Sequence, residues 1–464
     1  MRTSSLPRSV FLSACGIVVA ACASGGAPAD QVVEGNSAAG KSPVAAAGAL
    51  GHAGAGGASA GSPAVPSAGT SSGSAPSSSS AGAPSSSSGG APSSAGGGKA
   101  SGGSGGKPSA AAGSPGNAGG GSAGAPAPTA GCEPPTTYPN LFVTLSGHTQ
   151  AESDAKVTAA WSQLFGSGAN TVYYKGPGAD ESYVQDIANN DVRTEGQSYG
   201  MMIAVQLDHQ AEFDRLWTFV KNHMLSGKQI AWHTSTSGSK LATGGAPDGD
   251  EYFAAALVFA AKRWGDTSGK YNYTSEAKVI LDLVRTQDFN DKAKLVQFYA
   301  GSGNTDGSYI LPAFYQTWAC FDKENAAFWN DAVTAGRAFF KAAADSNGVI
   351  GDQSSFTGQT QKAAGSDTVR CVMNIMMDHN FFNADPWQTE YATKYGAYQS
   401  RGAGSTAQLS CNGLLGFGLP ATTGKPFVDK LWSAAIPTGT YRYYDGTLYM
   451  LALLHVSGTF KLWY

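Results

Sequence analysis

DVRTEGQSYGMM, at residues 191–202, places one carboxylic acid, Glu195, between a short polar turn and a long apolar segment. In that segment apolar residues recur roughly every three to four positions, which is the spacing of a helix with one buried face. The pattern predicts a core helix over residues 198–224 with an acid at its mouth. The apolar positions are Met201, Met202, Val205, Leu207, Phe213, Leu216 and Trp217.

Glu195 has two interpretations. An acid at the mouth of a core helix, beside a residue as small as Gly196, is suited to donate a proton to a ligand that approaches closely. A glutamate in the first turn also complements the helix macrodipole, and Thr194 would then be the N-cap. The local sequence alone favours the second, structural interpretation.

Two further acidic spots stand immediately before apolar segments. One is DGDE at residues 248–251, and the other is Asp367 in GSDTVR. Taken singly, each fits a turn or a helix cap, and Arg370 would neutralise Asp367. Taken together with Glu195, they predict acids that converge on one cleft. Hydrolysis of a glycosidic bond with inversion needs an acid and a base about 6.5–9.5 Å apart, and a third carboxylate would raise the pKa of the acid.

Aromatic residues are frequent in the same loops. Sugar rings stack on flat apolar faces, and polar groups at the edges bind the hydroxyls. Packing in the core explains any single one of these residues at least as well. They are Tyr173, Tyr174, Trp232, Tyr309, Phe314, Tyr443 and Tyr444.

The composition excludes several classes of function. The chain has 464 residues and a formal net charge of -3, which argues against nucleic acid or an anionic surface as a partner. No apolar run reaches the roughly 18 residues that a membrane span needs. No CxxC motif or His/Cys cluster indicates a metal site, and no cofactor is implied.

The N-terminal quarter of the chain has the features of a targeting and linking segment. A basic start and a short apolar core end in VAAC, which resembles the lipobox of bacterial lipoprotein signal peptides. The resemblance implies removal of residues 1–21 and lipidation of Cys22; an ordinary secretory signal is the alternative. Residues 22–131 are almost entirely Ala, Gly, Ser and Pro, which predicts a disordered tether. Either signal predicts an exported protein, lipid-anchored in the bacterial cell envelope or secreted.

Residues 132–464 are predicted to form one mostly helical domain. Four cysteines lie in it, and the exported compartment leaves three disulfide pairings open among Cys132, Cys320, Cys371 and Cys411. About a dozen helices, with no alternation of strands and helices, would fit an all-α barrel of six helix hairpins, written (α/α)6, whose loops at one end carry the chemistry. Beyond 198–224, the predicted helices are 153–165, 250–264, 275–286, 311–321, 324–344, 367–382, 385–398, 407–417, 426–435 and 444–456.

The domain resembles glycoside hydrolase family 8, the inverting endo-glycanases with a six-hairpin α/α barrel. The resemblance covers most of residues 138–464 and is carried by five segments in a fixed order. They are DVRTEGQSYGMMIAVQLD (191–208), AWHTSTSGSKLATGGAPDGDEYFAAALVFAAKRWG (231–265), TDGSYILPAFYQTWA (305–319), SDTVRCVMNIMMD (366–378) and PTGTYRYYDGTLYMLALLHVSG (437–458).

The resemblance implies catalytic roles for three acids. Glu195 is similar to the general acid of the family, and Asp367 to its general base, which holds the attacking water. Asp248 is similar to the acid that binds the distorted sugar beside the point of cleavage.

The resemblance also implies residues that bind substrate. Arg370 would orient Asp367, and Tyr309 would help to hold the water. Trp232 would stack on a sugar on the non-reducing side. Asp306 and Tyr444 are weaker candidates for the cleft wall.

The wording of the motifs is closest to the xylan-active branch of the family, which implies β-1,4-linked xylan or xylo-oligosaccharides as substrate. The enzyme is expected to be a monomer. That branch contains endo-xylanases and an exo-enzyme that releases xylose from the reducing end. The short segment 398–409 has no His, and Ile310 replaces a frequent His, which favours endo action. An endo-glucanase or chitosanase of the same family, a carbohydrate-binding surface lipoprotein and a helical scaffold remain alternatives.

Overall fold

Helices that are buried on all sides alternate along the chain with helices that bury one face, and this alternation builds the fold. The computed structural model describes residues 131–402 and 404–464. The predicted signal peptide, Cys22 and the predicted tether up to residue 130 lie outside the described residues. The helices are α1 Leu141–Thr144, α2 Gln150–Leu164, α3 Thr194–Leu207, α4 Gln210–Phe219, α5 Pro247–Arg263, α6 Tyr273–Leu283, α7 Pro312–Phe321, α8 Ala326–Ala343, α9 Val369–Phe382, α10 Trp387–Gln399, α11 Thr406–Asn412, α12 Ala421–Ser433 and α13 Arg442–Val456.

Six helices form a closed inner ring within the described residues. In the order α3, α5, α7, α9, α11 and α13, each packs against the next, and α13 packs back against α3. The helices α2, α4, α6, α8, α10 and α12 lie outside this ring, and each packs against an inner neighbour or its continuation. The prediction of an all-α (α/α)6 barrel is therefore confirmed.

Burial separates the two rings. Nearly every residue of α3 and α13 is buried, as is α5 from Pro247 to Ala260. The outer helix α8 buries one face, with Trp329, Val333 and Phe340 among its buried residues. Helices buried on all sides belong inside, and one-faced helices cover them.

Consecutive inner helices are separated by one outer helix, so all six inner helices run in the same direction. Their N-terminal ends consequently meet at one end of the barrel. This end also carries most of the short strands. The loops at this end hold the candidate site, as the sequence predicts.

Short strands form in the loops between the helices, although the sequence did not predict them. A four-stranded antiparallel sheet has the order β1-β2-β3-β6, and a three-stranded sheet has the order β11-β10-β9. Two pairs, β4-β5 and β7-β8, complete the described set. The strands are β1 Tyr173–Lys175, β2 Ser182–Asp186, β3 Asp191–Arg193, β4 Leu225–Ser226, β5 Gln229–Ile230, β6 His233–Ser235, β7 Phe289–Asn290, β8 Leu295–Val296, β9 Asn304–Thr305, β10 Gln353–Ser355 and β11 Thr360–Lys362.

The long predicted helix at residues 198–224 was wrong as a single element. It is two helices, α3 and α4, because Asp208 adopts a left-handed conformation with φ of 68° that ends α3. A π-helical turn, Val220–Met224, then extends α4. The apolar periodicity continued across the break because both helices bury a face on either side of it.

One predicted helix start and one predicted cap were also wrong. Helix α2 begins at Gln150 with Thr149 as its N-cap, in a capping box with Glu152, whereas the predicted start, Ser153, is buried inside the helix. Helix α3 has Arg193 as its N-cap, and the buried Thr194 hydroxyl has no hydrogen-bond partner among the described residues.

One disulfide resolves the open choice of cysteine pairing. Cys132 bonds to Cys320, across a sequence separation of 188 residues. Cys371 and Cys411 are free thiols, and both are buried. None of the described helices is long and apolar enough to span a membrane.

Candidate active site

Three of the predicted acids lie at the N-terminal ends of inner helices. Glu195 is in the first turn of α3, and Asp248 is in the first turn of α5. Asp367 lies two residues before the start of α9. Because these three ends meet at one end of the barrel, residues far apart in sequence share one cleft.

Arg370 joins the three acids. Its Nη1 atom lies 3.1 Å from Glu195 Oε2 and 2.7 Å from Asp248 Oδ2, and its Nη2 atom lies 3.2 Å from Asp367 Oδ1. Both nitrogens belong to one planar guanidinium, so the carboxyl groups of Glu195 and Asp367 face the same small volume. This arrangement is compatible with the roughly 6.5–9.5 Å separation of an inverting pair.

The first turn of α3 holds the Glu195 carboxyl against Tyr443. The preceding strand β3 pairs with β2 and β6, and the Thr194 amide donates to the Trp232 carbonyl at 3.0 Å. Gly196 allows the Tyr443 ring to approach, because a Cβ atom at that position would lie 2.3 Å from Tyr443 Cε2. The Tyr443 hydroxyl then donates to Glu195 Oε1 at 3.1 Å.

The pKa of Glu195 is close to the value that a general acid needs near neutral pH. Burial raises its pKa to about 7, against the opposing charge of Arg370, and the negative charges of Asp248 and Asp367 add to the rise. The field at a helix N-terminus stabilises the ionised form, but burial outweighs it here. Glu195 therefore keeps its proton at slightly acidic pH.

The pKa of Asp367 is also raised, but to a lower value than that of Glu195. Burial raises its pKa to about 6, and the charge of Arg370 opposes this rise while Asp352 and Asp248 support it. The pKa of Asp367 is therefore lower than that of Glu195. At a pH between the two values, Glu195 is protonated and Asp367 is ionised, which is the pairing of an acid with a base.

Asp248 accepts hydrogen bonds on both oxygens. Its Oδ2 atom is the one that contacts Arg370, and its Oδ1 atom accepts from the Gly249 amide at 2.9 Å. Behind it, burial raises the pKa values of Asp250, Glu251 and Asp288 well above their ordinary range. Burial therefore favours the neutral form of these three acids, and Asp248 is the acid of this group that contacts Arg370.

Trp232 lies beside the strand that leads to Glu195. It is half-buried, its ring stacks with His233 at a centroid distance of 4.5 Å, and the guanidinium of Arg193 lies 5.7 Å from its centroid. Arg193 is itself fixed by Asp191 at 3.1 Å and Asp186 at 3.3 Å. The ring is thus held between His233 and Arg193, beside the strand that leads to Glu195, and its role in stacking on a sugar stays a prediction.

Tyr309 and Asp306 lie on the loop before α7. The Arg370 guanidinium lies 5.7 Å from the centroid of the Tyr309 ring, which places Tyr309 next to Asp367 and its partners. Asp306 is 1% exposed, and its Oδ1 atom accepts from the Ser308 amide at 2.8 Å. Tyr309 is thus brought to the site. Asp306 caps the turn beside it, and burial, together with the nearby charge of Asp367, raises the pKa of Asp306.

Tyr444 contacts the backbone beside the predicted base. Its hydroxyl donates to the Ser366 carbonyl at 3.0 Å, and its side chain is almost fully buried. It therefore holds the segment that carries Asp367. The catalytic and substrate-binding roles of all the predicted site residues stay predictions.

Two tyrosines with direct contacts to the site were absent from the predicted set. Tyr443 donates to Glu195, and the Tyr199 hydroxyl lies 2.9 Å from Arg370 Nη1. A signal for Tyr199 was available, because it is four residues after Glu195 and so on the same helix face. Tyr443 could be read only as an aromatic loop residue, because its contact is with a residue 248 positions away.

The arrangement is chemically asymmetric. One carboxyl is protonated near neutral pH and another is ionised, and one cation binds all three acids of the cleft. No group of three or more His, Cys, Asp or Glu residues in the described part of the chain is arranged to hold a metal ion. The site is therefore suited to transfer a proton to a leaving group and to remove one from water.

Comparison with known proteins identifies the relatives of the chain. The model of the family described as glycosyl hydrolases family 8 matches residues 173–458. A reducing-end xylose-releasing exo-oligoxylanase of Halalkalibacterium halodurans is 34% identical over 371 residues, which is 70% of this chain and 95% of the relative. The enzyme of the same description from Paenibacillus barcinonensis is 31% identical over 369 residues, 70% of this chain and 97% of the relative.

A solved structure agrees with these relatives. The crystal structure of a reducing end xylose-releasing exo-oligoxylanase superposes with a TM-score of 0.67 at 33% sequence identity. The superposition covers 71% of this chain and 97% of the other. The superposition leaves out a part of this chain that is about as long as residues 1–130, the N-terminal segment that the structure does not describe.

Proposed function

The chain belongs to glycosyl hydrolase family 8 and is a glycosidase, and we propose that it hydrolyses β-1,4-xylosidic bonds with inversion. Xylan or xylo-oligosaccharides are the proposed substrates. The observation that carries this proposal is the Arg370 guanidinium, which joins Glu195, Asp248 and Asp367 in one cleft.

Glu195 is the proposed general acid. It donates its proton to the glycosidic oxygen, so the bond from the anomeric carbon to that oxygen breaks and a hydroxyl leaves on the departing sugar. Its pKa of about 7 supports this role, because the carboxyl is protonated below that value. Tyr443 holds the other oxygen of Glu195 and orients the carboxyl.

Asp367 is the proposed general base. Water attacks the anomeric carbon from the face opposite the leaving group, and Asp367 accepts the proton that this water loses. Glu195 ends ionised and Asp367 ends protonated, so one proton must pass through solvent before the next turnover. Tyr309 is proposed to help hold the water, and its ring centroid 5.7 Å from the Arg370 guanidinium supports this role.

Asp248 is proposed to bind the sugar that is distorted toward the transition state. Its carboxylate contacts the same guanidinium as Glu195, which supports a position beside the bond that Glu195 would protonate. Positive charge develops on that ring as the bond breaks, and a nearby carboxylate stabilises it. Trp232 would stack on a sugar further to the non-reducing side.

The substrate class rests on the relatives. Both curated relatives described above are named for release of xylose from the reducing end of oligoxylosides. The absence of His from residues 398–409 favours action within a chain, and an exo-enzyme is the second candidate because of those names. An endo-glucanase or chitosanase of the same family is the remaining alternative.

The location of the enzyme follows from the N-terminal sequence alone. We propose that residues 1–21 direct export and that Cys22 carries a lipid anchor. Residues 22–131 would then hold a monomeric catalytic domain, residues 132–464, away from the cell envelope. Mass spectrometry of the mature N-terminus tests this: an acylated Cys22 supports the anchor, and a free N-terminus elsewhere contradicts it.

A panel of substrates tests the activity. Residues 131–464 are incubated with xylan, xylohexaose, carboxymethyl-cellulose and chitosan, and reducing ends and products are measured. We expect release from the two xylose polymers only, and an abrupt loss in E195A and D367N, by about three orders of magnitude or more. Unchanged activity in either variant would refute the role assigned to that residue.

A further inference from the structure

We propose that Asp352 is a positioning residue for the base, and that Asp352 and Lys362 together set the charge around Asp367. This inference rests on the proposed role of Asp367 as general base. Asp352 stands just before β10, and Lys362 ends β11. Both residues would act on the base through the segment that carries it and through their charges.

The Asp352 carboxylate holds the segment 365–368 at both of its ends. Its Oδ1 atom accepts from the Gly365 amide at 2.8 Å and from the Thr368 amide at 3.3 Å. The Thr368 hydroxyl lies 2.8 Å from the same oxygen. Asp352 is only 4% exposed, so these bonds form away from competing water.

The second oxygen of the Asp352 carboxylate also packs closely against the segment 365–368. A Cβ atom added to Gly365 would lie 2.3 Å from Asp352 Oδ2. Tyr444, across the cleft, binds the Ser366 carbonyl. The two residues that flank Asp367 on its N-terminal side are thus fixed from opposite directions, one by Asp352 and one by Tyr444.

The charges of Asp352 and Lys362 also act on Asp367. The Lys362 ammonium lies 3.7 Å from Asp352 Oδ2 and is 55% exposed. Burial is the largest influence on the pKa of Asp367; among the smaller ones, Asp352 raises it and Lys362 lowers it. The remaining titratable groups that face Asp367 are Glu195, Asp248, Asp306, Tyr309, Arg370, Cys371 and Tyr444.

The consequence for catalysis is specific. A base that activates water must hold its carboxylate within hydrogen-bond reach of that water, and small displacements of the base are costly. Loss of the Asp352 carboxylate should therefore reduce kcat more than it changes KM. Loss of its charge alone should move the pH at which the base ionises.

Three substitutions separate position from charge. D352N keeps an acceptor for the Gly365 and Thr368 amides and removes the charge, whereas D352A removes both. K362M removes the opposing charge at an exposed position, so the fold is preserved. T357A, at the exposed tip of the same β-hairpin, is the matched control because it touches neither residues 365–368 nor Asp352.

The readouts are kcat, KM and the acid limb of the kcat/KM profile on xylohexaose, with thermal melts to verify folding. For D352A we expect a fall in kcat of at least tenfold with KM within about threefold. In D352N the acid limb should move to lower pH, by roughly half a unit or more, and in K362M it should move to higher pH. T357A should match the wild type.

The outcomes distinguish this inference from the proposed function. If D367N is inactive while the acid limbs of D352N and K362M coincide with that of the wild type, the inference is wrong and the role of Asp367 stands. If D367N retains full activity, the proposed base is wrong. A D352A protein that melts early does not rescue the inference, since folded K362M and D352N must still shift in opposite directions.

Discussion

At the scale of single residues, burial and Arg370 compete for the charge on Glu195. The guanidinium, 3.1 Å away, favours the ionised carboxylate, but burial favours the neutral acid and dominates. Asp367 contacts the same guanidinium and titrates lower. The Arg370 guanidinium therefore contacts both the proposed acid and the proposed base, and the pKa values of these two groups differ.

The pH profile of the free enzyme follows from these two groups. The base must be ionised, which requires a pH above about 6, and the acid must be protonated, which requires a pH below about 7. We therefore expect a narrow bell for kcat/KM on xylohexaose, with its maximum between the two values. A flat profile from pH 4 to 9, or a single limb, would contradict the assignment of two carboxyls to opposite roles.

Tyr443→Phe isolates the contact on Glu195 Oε1. The lost hydroxyl donates to the carboxylate, and hydrogen bonds to charged groups contribute about 1.5–3 kcal/mol. We expect kcat/KM to fall about tenfold, and the alkaline limb to move to higher pH because the ionised form loses a donor. Tyr441→Phe, at an exposed position two residues earlier, is the control and should change neither.

Residue-level prediction from the sequence reached the acids and Arg370 but not their tyrosine partners. The acids stand in short motifs with Gly neighbours, so they could be singled out individually. The contacts of Tyr199, Tyr443 and Asp352 with the site depend on side chains brought together by the ring. Apart from the four-residue spacing of Tyr199 from Glu195, no local pattern indicates such contacts, since the partners are separated by many residues.

At the scale of elements, the site depends on how closely α3 and α5 approach. A Cβ atom at Gly249 would lie 2.5 Å from Thr194 Cβ and 2.8 Å from its carbonyl carbon. The two helix ends that carry Glu195 and Asp248 can therefore meet only because position 249 has no side chain. Here a glycine serves close packing and not a turn.

Gly249→Ala tests this approach. Alanine is the better helix former by about 1 kcal/mol, so a change of helix propensity alone would stabilise the protein. Because the new methyl must separate α3 from α5, we expect a lower Tm and a fall in kcat/KM of at least tenfold. Gly168→Ala, in open space, is the control. A Gly249→Ala protein with wild-type activity would mean that the spacing of these helix ends does not matter.

Helix existence was predictable from the sequence, but helix boundaries were less so. Periodicity indicated each inner and outer helix, because each buries at least one face. The end of α3 at Asp208 was missed since a single left-handed residue interrupts no apolar pattern. The short strands were missed because two or three residues are too few to show alternation.

At the scale of the whole molecule, the disulfide that stabilises the fold lies away from the acids that would carry out the chemistry. The disulfide joins Cys132 to Cys320 in α7, near the C-terminal end of that helix, whereas the acids lie at the N-terminal ends of inner helices. The bond closes a long loop and so restricts the unfolded chain. Its contribution should therefore appear in stability and not in rate.

Cys132→Ser, Cys320→Ser and the double variant test this separation. We expect each to lose about 2–5 kcal/mol of unfolding free energy and the double variant to lose no more than either single one. Thermal melts measure the loss, and kcat on xylohexaose at 25 °C should stay within about twofold. A large fall in kcat without a change in Tm would place the disulfide in the catalytic machinery.

The ring itself could be predicted because about a dozen helices of the right length leave few ways to bury their apolar faces. Which acids would meet could not be derived from helix count alone; the resemblance to a known family supplied it. The disulfide pairing stayed open for the same reason, as it depends on where α7 ends relative to the start of the domain.

The central claim is that Glu195 and Asp367 act as a separate acid and base with one water between them. Proton NMR of xylohexaose hydrolysis, recorded within the first minutes and before mutarotation, tests it most directly. We expect the new reducing end to appear first as the α-anomer, the inverted product. A β-anomer as the first product would show retention, and the proposed mechanism would be wrong.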